Sequence, residues 1–490
     1  MDLTLCHMII IFIVLILITK LYLHVHLSKP FALPILGHLH LLRSPIHQSL
    51  AHLARAHGHV LRLRFGSRPV LVVSSPSAAE HCFTKNDIIF ANRPRILPAK
   101  YLGYNFTSLV FSPFTARWRA HRRFTALHAF SPSCLSDNFS SELRFLLRGL
   151  YSDHTQGFHK TEIRSWFFDL TLNLMMGMIT GKRFQGEEKR KLRKVLEEMF
   201  FLSGATSLED FVPLVRWFGF STMRKRLERV GKEIDETLQE LVLEERSKLR
   251  KGDHGEEMKT IIGNLLTMQE KEPEHYTDID IKGILSSLIT GGTETTSGTM
   301  EWAMALLVNH PEVLKKVRDE IEEHVGHDRL VMDSDITKLK YLNNVIKETL
   351  RLFPPGPLLV PHESSEDCIV EGVCVPKGTM LLVNAYAMQR DPELWEDSME
   401  FKPERFDEDH QQGFKYIPFG YGRRRCPGES MGWKVMTLTL GGLIQCFEWE
   451  REGQKLVDLT EGAGLSMPMA TPLEIIYRPC PEMLDVLSQL

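Results

Sequence analysis

The stretch Phe419-Gly420-Tyr421-Gly422-Arg423-Arg424-Arg425-Cys426-Pro427-Gly428-Glu429 constrains this chain more than any other feature. Glycines at 420, 422 and 428 let the backbone pass close around one thiol, and the apolar run from Met431 predicts a helix beginning just after it. Backbone N–H groups and the positive end of that helix are then arranged to hold Cys426 as a thiolate. A lone cysteine is ordinarily a small buried hydrophobe. The chain's 8 cysteines contain no C-x-x-C pair and no regular spacing, which argues against a disulfide scaffold or a structural zinc site. One strong sulfur donor, framed by close backbone, suits instead an axial ligand to haem, whose porphyrin fills the other coordination positions.

Around that loop the periodicity reads mostly as helix, with short strands near Val60 to Phe65 and Val70 to Ser74. Asp278 to about Val308 is long and mainly apolar, so it is expected to run through the core. Its Gly291-Gly292 pair costs roughly 2 kcal/mol of helix propensity relative to Ala, which implies a bend or a ligand lying against the backbone. Thr295 can bond the Gly291 carbonyl four residues back and open the helix there. A proline start at Pro311 predicts an exposed helix to Gly326, and Leu339 to Leu352 forms an amphipathic helix that Pro354-Pro355 stops.

That last helix carries Glu348 and Arg351 three apart, on one face. Some fifty residues on, Phe401-Lys402-Pro403-Glu404-Arg405-Phe406 supplies another arginine from a Pro-bounded turn expected to be non-helical. Two guanidiniums on one carboxylate would make a buried structural lock.

Charge is nearly balanced, 59 Lys+Arg against 62 Asp+Glu, which argues against a dedicated nucleic-acid binder. With 43% hydrophobic residues the chain of 490 can bury a large core. At the start, Leu3 to Thr19 is largely apolar and Met8 to Ile18 wholly so, roughly 25 Å of helix, enough for a thin bilayer. Asp2, Lys20 and Tyr22 fit a cleavable signal peptide poorly, so an uncleaved anchor is expected. Lys20, Lys29 and Arg43 follow the apolar run, and the positive-inside rule then leaves the rest of the chain in the cytosol. Pro30 to Gly37 reads as a non-helical linker. The expected organisation is an anchor over 1–20, a linker over 21–45 and a catalytic domain over 46–490. Glu244 to Glu257, the most polar segment, reads as an exposed loop between helices.

Taken together, Phe419-x-x-Gly422-x-Arg424-x-Cys426-x-Gly428, Glu348-x-x-Arg351, Pro403-Glu404-Arg405-Phe406 and Gly291-Gly292-Thr293-Glu294-Thr295 resemble, in order and spacing, the cytochrome P450 haem-thiolate monooxygenases. Leu358 to Cys368, Asn384-Ala385-Tyr386-Ala387 and Ile444 to Trp449 resemble the plant group that includes isoflavone 2'-hydroxylases and lignan methylenedioxy-bridge synthases. The resemblance implies a mainly α fold with small β-sheets and an N-terminal transmembrane helix. It implies a haem cofactor (heme b, iron protoporphyrin IX) with Cys426 as axial ligand, and electrons from NADPH through a cytochrome P450 reductase. Trp118, Arg122, Arg424 and His362 are its expected propionate partners. Thr295 and Glu294 would govern proton delivery during oxygen activation. Arg119, Arg123, Arg423 and Arg425 remain for the surface, where they would offer a docking patch to an acidic reductase.

By the same resemblance, Tyr101 to Phe114, Phe200-Phe201, Leu288, Gly291, Gly356 to Val360 and Leu465 to Pro468 face the substrate. Their apolar character suits an isoflavonoid, flavonoid, lignan or terpenoid. The implied location is the endoplasmic reticulum membrane, with a single span and contact with lipid. The chain departs from the family in its proline-poor linker, in Gly rather than Ala at 291, and in Met431-Gly432-Trp433 after the haem loop. Two other classes share parts of the pattern: a haem-thiolate isomerase or dehydratase needing no external electrons, and a non-catalytic haem-binding membrane protein. Retention of Glu294, Thr295 and the cysteine frame argues against both.

Overall fold

A computed structural model describes residues 12–17, 30–130, 132–152, 157–204, 208–212, 215, 222–250, 260–408, 412–464 and 466–490. Its centre is the helix Asp278–Asn309, started by a reciprocal cap in which the Thr277 side chain accepts from the Asp280 N–H while Asp280 accepts from the Thr277 N–H. Ile281, Ile284, Leu285, Ile289, Met300 and Met304 on it are almost solvent-free, so burial on several sides holds it in the core. His310 and Pro311 end it.

This central helix continues unbroken through Gly291-Gly292. The two glycines have different reasons. A Cβ at Gly292 would lie 2.5 Å from Met175 Sδ, because the helix Ile163–Thr180 packs directly against this point. A Cβ at Gly291 would meet nothing within 4 Å. Gly292 is therefore a packing residue, and Gly291 borders open space.

The helix Pro311–His324 ends two residues earlier than expected, and Lys340–Leu352 starts one later. Strand Val60–Phe65 pairs antiparallel with Arg68–Val73, which begins at Arg68 rather than Val70 because the Gly66-Ser67 turn is tight enough to pair Phe65 with Arg68. Arg68–Val73 runs parallel to Met380–Val383, which pairs antiparallel with His362–Glu363 and thereby fixes His362 at the sheet edge. A second sheet joins His159–Glu162, Glu474–Pro479 and Phe447–Glu450.

Two local readings need correction. Glu244 to Arg250 is the last part of the helix Thr222–Arg250 rather than loop, since Leu227, Val230, Ile234, Leu238 and Val242 carry a buried stripe along it; residues 251–259 lie outside the described part. Pro403–Phe406 is one turn of 3-10 helix, with Pro at its first position.

Glu348 and Arg351 are both fully buried. Arg351 donates from Nε at 2.7 Å and Nη2 at 2.8 Å to the two Glu348 oxygens, and Arg405 Nε reaches Glu348 Oε1 at 3.2 Å. The Lys402 N–H adds a fourth donor at 2.9 Å, while Arg351 Nη1 spans to the carbonyls of Gln389 and Ser398 at 2.7 Å each. The lock thus ties the helix Lys340–Leu352 to the loop that leads into the cysteine segment.

Phe12–Leu17 is helical and exposed. The rest of the apolar segment Leu3 to Thr19, with Lys20 and Lys29, lies outside the described residues. No helix among the described residues is long and apolar enough to cross a membrane.

Candidate active site

Cys426 stands half-buried just before the helix Glu429–Cys446, which starts two residues ahead of the expected Met431. Its N–H donates to the Phe419 carbonyl at 2.9 Å and closes the loop. Gly420 and Gly422 have φ of 68° and 70°, a conformation that a side chain disfavours, and a Cβ at Gly422 would strike Asp87 Oδ1 at 2.3 Å. Asp87 earns that closeness by accepting from the Arg423 N–H at 3.0 Å and pairing with its guanidinium at 3.1 Å.

The three consecutive arginines divide. Arg423 turns out to Asp87, and Arg425 turns out to Glu429 at 2.7 Å. Arg424 turns in: its Nε donates to the Ala91 carbonyl at 2.7 Å and its Nη2 to Ser112 at 2.6 Å, while its Nη1 is buried with no partner. Its guanidinium carbon lies 4.1 Å from the centre of the Trp118 ring. The indole N–H of Trp118 is already given to the Leu109 carbonyl at 3.1 Å, so Trp118 contributes its face to Arg424.

Arg93, which the sequence motifs did not single out, belongs to the same cluster. It is buried and donates to the carbonyls of Val110 at 3.1 Å, Val360 at 2.7 Å and Pro361 at 2.9 Å. It thus joins the Tyr101 to Phe114 loop to the Gly356 to Val360 segment. Arg122 Nη2 donates to the Arg425 carbonyl at 2.6 Å, beside Cys426. His362 is buried with Nδ1 2.6 Å from the Phe90 carbonyl, so Nδ1 carries the proton. Burial first, and then the Arg93 and Arg424 charges, push His362 well down and keep it neutral. Burial and the charges of Arg93 and Arg122 also lower Arg424.

The partners just named for Arg93, Arg122 and Arg424 are carbonyl oxygens or an aromatic face, and none is a carboxylate. Three guanidiniums gathered this way, one with an orphaned N–H, require an anion. The two propionates of a haem fit that requirement, and Cys426 fits as its sulfur donor.

Burial raises Cys426 above the ordinary thiol value, and the opposing Gly428 N–H, Arg122 and Arg425 do not overcome it. Desolvation thus opposes the helix end and the N–H groups that favour the thiolate. A haem iron on the sulfur would favour the thiolate, since coordination deprotonates a thiol.

On the central helix, Thr295 Oγ1 donates to the Gly291 carbonyl at 2.7 Å. Glu294 lies beside Ser466, with Oε2 buried and without a partner. Burial chiefly, with Glu197 adding repulsion, raises its carboxyl to about 7 against the counter-effects of Ser466 and Arg164. A group titrating there exchanges protons in both directions at physiological pH.

Of the expected substrate-facing residues, Leu288, Phe200 and Met467 are buried. Phe201 instead turns outward, 41% exposed, with the Arg226 guanidinium over its ring. Adjacent helical residues point about 100° apart, and here Phe200 lies on the buried side and Phe201 on the exposed one. Leu465 lies outside the described residues.

Comparisons with known proteins place the chain in a family. The family model described as Cytochrome P450 matches residues 27–473. The chain is 48% identical over 460 residues to Cytochrome P450 81Q32 of Catharanthus roseus, covering 92% of this chain and 91% of that one. It is 43% identical to isoflavone 2'-hydroxylase of Medicago truncatula, covering 92% of each. Identity to (+)-piperitol/(+)-sesamin synthase CYP81Q2 of Sesamum radiatum is 42%, over 94% of this chain and 92% of that one. In fold it resembles a zebrafish cytochrome P450 whose structure was solved with progesterone, at a TM-score of 0.78 and 24% identity, covering 90% of this chain and 100% of that one.

Proposed function

The chain belongs to the cytochrome P450 family of haem-thiolate monooxygenases, and from that premise we propose a membrane-anchored enzyme that oxidises a hydrophobic plant specialised metabolite with electrons passed from NADPH through a reductase. When bound, the haem supplies the redox chemistry that activates dioxygen. In this reading Cys426 would hold the haem by its sulfur and Arg424, Arg122 and Arg93 would receive the propionates, with His362 joining them only as the imidazolium, whose Nε2–H can donate. Trp118 holds Arg424 by its ring face. Haem propionates give Arg424 Nη1 the acceptor it lacks.

Protons enter through Glu294, whose carboxyl is poised near neutrality, and Thr295 orients them at the open face beside Gly291. The observation that carries this function is the cluster of buried Arg93 with half-buried Arg122 and Arg424, whose named partners include no carboxylate, in the same fold region as Cys426. The substrate class, an isoflavonoid, flavonoid, lignan or terpenoid, draws support from relatives named as an isoflavone hydroxylase and a sesamin synthase. Incubating the enzyme and reductase in microsomes with NADPH and a panel of these compounds tests it: turnover of at least one aromatic member is expected, and turnover of none contradicts the class.

The anchor over 1–20, the linker over 21–45 and the catalytic domain over 46–490 complete the reading, with the domain on the cytosolic face of the endoplasmic reticulum. Full-length protein should resist carbonate extraction, and deletion of Met1 to Thr19 should weaken its membrane association. Carbonate release of the intact chain, or processing near residue 20, would overturn this topology.

A further inference from the structure

Between Asp2 and Glu80 the sequence contains no Asp or Glu, while Lys20, Lys29, Arg43, Arg55, Arg62, Arg64 and Arg68 all fall there. The fold gathers part of this charge at one place. Arg62 and Arg64 alternate on the outer face of strand Val60–Phe65, both exposed. A cavity of about 250 Å³ lies between them and the turn that runs from Cys374 to Thr379, and no carboxylate lines it. Arg62 and Arg64 make no ion pair among the described residues; the one contact recorded for these guanidiniums is a long 3.5 Å approach of Arg64 Nη2 to the Leu33 carbonyl. The remaining wall is mostly apolar, from Leu63, Pro69, Val70, Leu71 and Val375, with the His38 ring as its one other polar side chain outside the Cys374 to Thr379 turn.

The same edge carries exposed apolar side chains. Ile35 and Leu36 are 63% and 39% exposed, and the linker that bears them is stitched to this strand by Gly66 N–H to the Leu36 carbonyl at 3.0 Å and His38 N–H to the Arg64 carbonyl at 2.7 Å. Unpaired guanidiniums in a concave site, bordered by exposed aliphatic residues, match a molecule with a phosphate at one end and acyl chains at the other.

We propose that this cavity binds the phosphate headgroup of an anionic phospholipid, with Arg62 and Arg64 as its ligands. The inference rests on the membrane-anchored reading for the lipid's access, and it concerns a site distinct from the haem centre. Held there, a headgroup fixes the domain's orientation on the membrane by a second point besides the N-terminal helix.

Titration of the full-length, haem-loaded protein in non-ionic detergent tests the site, using water-soluble short-chain phosphatidic acid, short-chain phosphatidylcholine and inorganic phosphate, followed by calorimetry. Phosphatidic acid should bind saturably and more tightly than either other probe. The double variant Arg62→Gln/Arg64→Gln should bind it roughly thirtyfold more weakly, from about one factor of five per lost surface cation, with an unchanged reduced-CO spectrum showing that the domain is intact. Arg62→Lys/Arg64→Lys should retain most of the binding. Wild-type affinity in the Gln variant, or absence of saturable binding, overturns the proposal. Equal affinity for inorganic phosphate overturns the lipid assignment in favour of a free-anion site. Failure of the anchor reading shows separately, as carbonate release.

Discussion

Cys426→Ser is expected to abolish both the thiolate-type absorbance of the reduced CO complex and all turnover. A serine hydroxyl stays protonated under the same burial that already raises the Cys426 thiol, and it donates far less charge to iron. The surrounding loop would survive, because the backbone bond from residue 426 to Phe419, the turned-out pairs Arg423–Asp87 and Arg425–Glu429, and the positive φ of Gly420 and Gly422 do not involve the sulfur. The protein should therefore fold while losing its spectrum. Cys374→Ser, at an exposed thiol outside the loop, should leave the spectrum unchanged. A thiolate-type spectrum in the Cys426 variant would remove the ligand assignment.

Glu348→Ala is expected to give apo or aggregated protein. Two Arg351 nitrogens, Arg405 Nε and the Lys402 N–H converge on this carboxylate, and both Glu348 and Arg351 are cut off from water. Its removal leaves Arg351 buried with only carbonyl partners, a loss of roughly 3 to 5 kcal/mol and a large fraction of ordinary domain stability. Because the lock fastens the loop leading to the cysteine segment, haem loading should fail with it. Haem content per purified chain measures this directly, and a normal yield of loaded protein would show that the buried lock is not needed for haem loading.

How much of this was legible in the sequence depends on the kind of interaction. The central helix, the proline-started helix and the amphipathic helix carrying Glu348 follow from periodicity and local stops, and their ends moved by one or two residues. The carboxylate lock was legible because Glu348 and Arg351 are helical neighbours and Arg405 sits in a Pro-bounded turn. Gly291 and Gly292 looked like one feature and proved to be two, since only the packing partner Met175, more than a hundred residues away, distinguishes them.

Arg93 was missed for the same reason. Its partners at 110, 360 and 361 come together only in the fold, and in the sequence Arg93 stands beside Asn92 and Arg95 with nothing to mark it as the buried one. Trp118 was identified, but its N–H had already been claimed by a carbonyl nine residues before it. At Cys426 the helix-end and N–H effects are local and visible in sequence, whereas the desolvation that opposes them depends on everything packed around the sulfur.

The central claim is that this chain spends reductant to oxidise a substrate, with proton delivery through Glu294 and Thr295. The amount of product formed per NADPH oxidised, in the wild type and in Thr295→Ala, tests it most directly. The account predicts product only when NADPH and reductase are present. In the mutant, haem content and substrate binding should persist while product per NADPH falls and hydrogen peroxide takes its place, because the hydroxyl that bonds Gly291 is lost from the open face of the helix. Product formed without NADPH, or equal coupling in the two proteins, would contradict it.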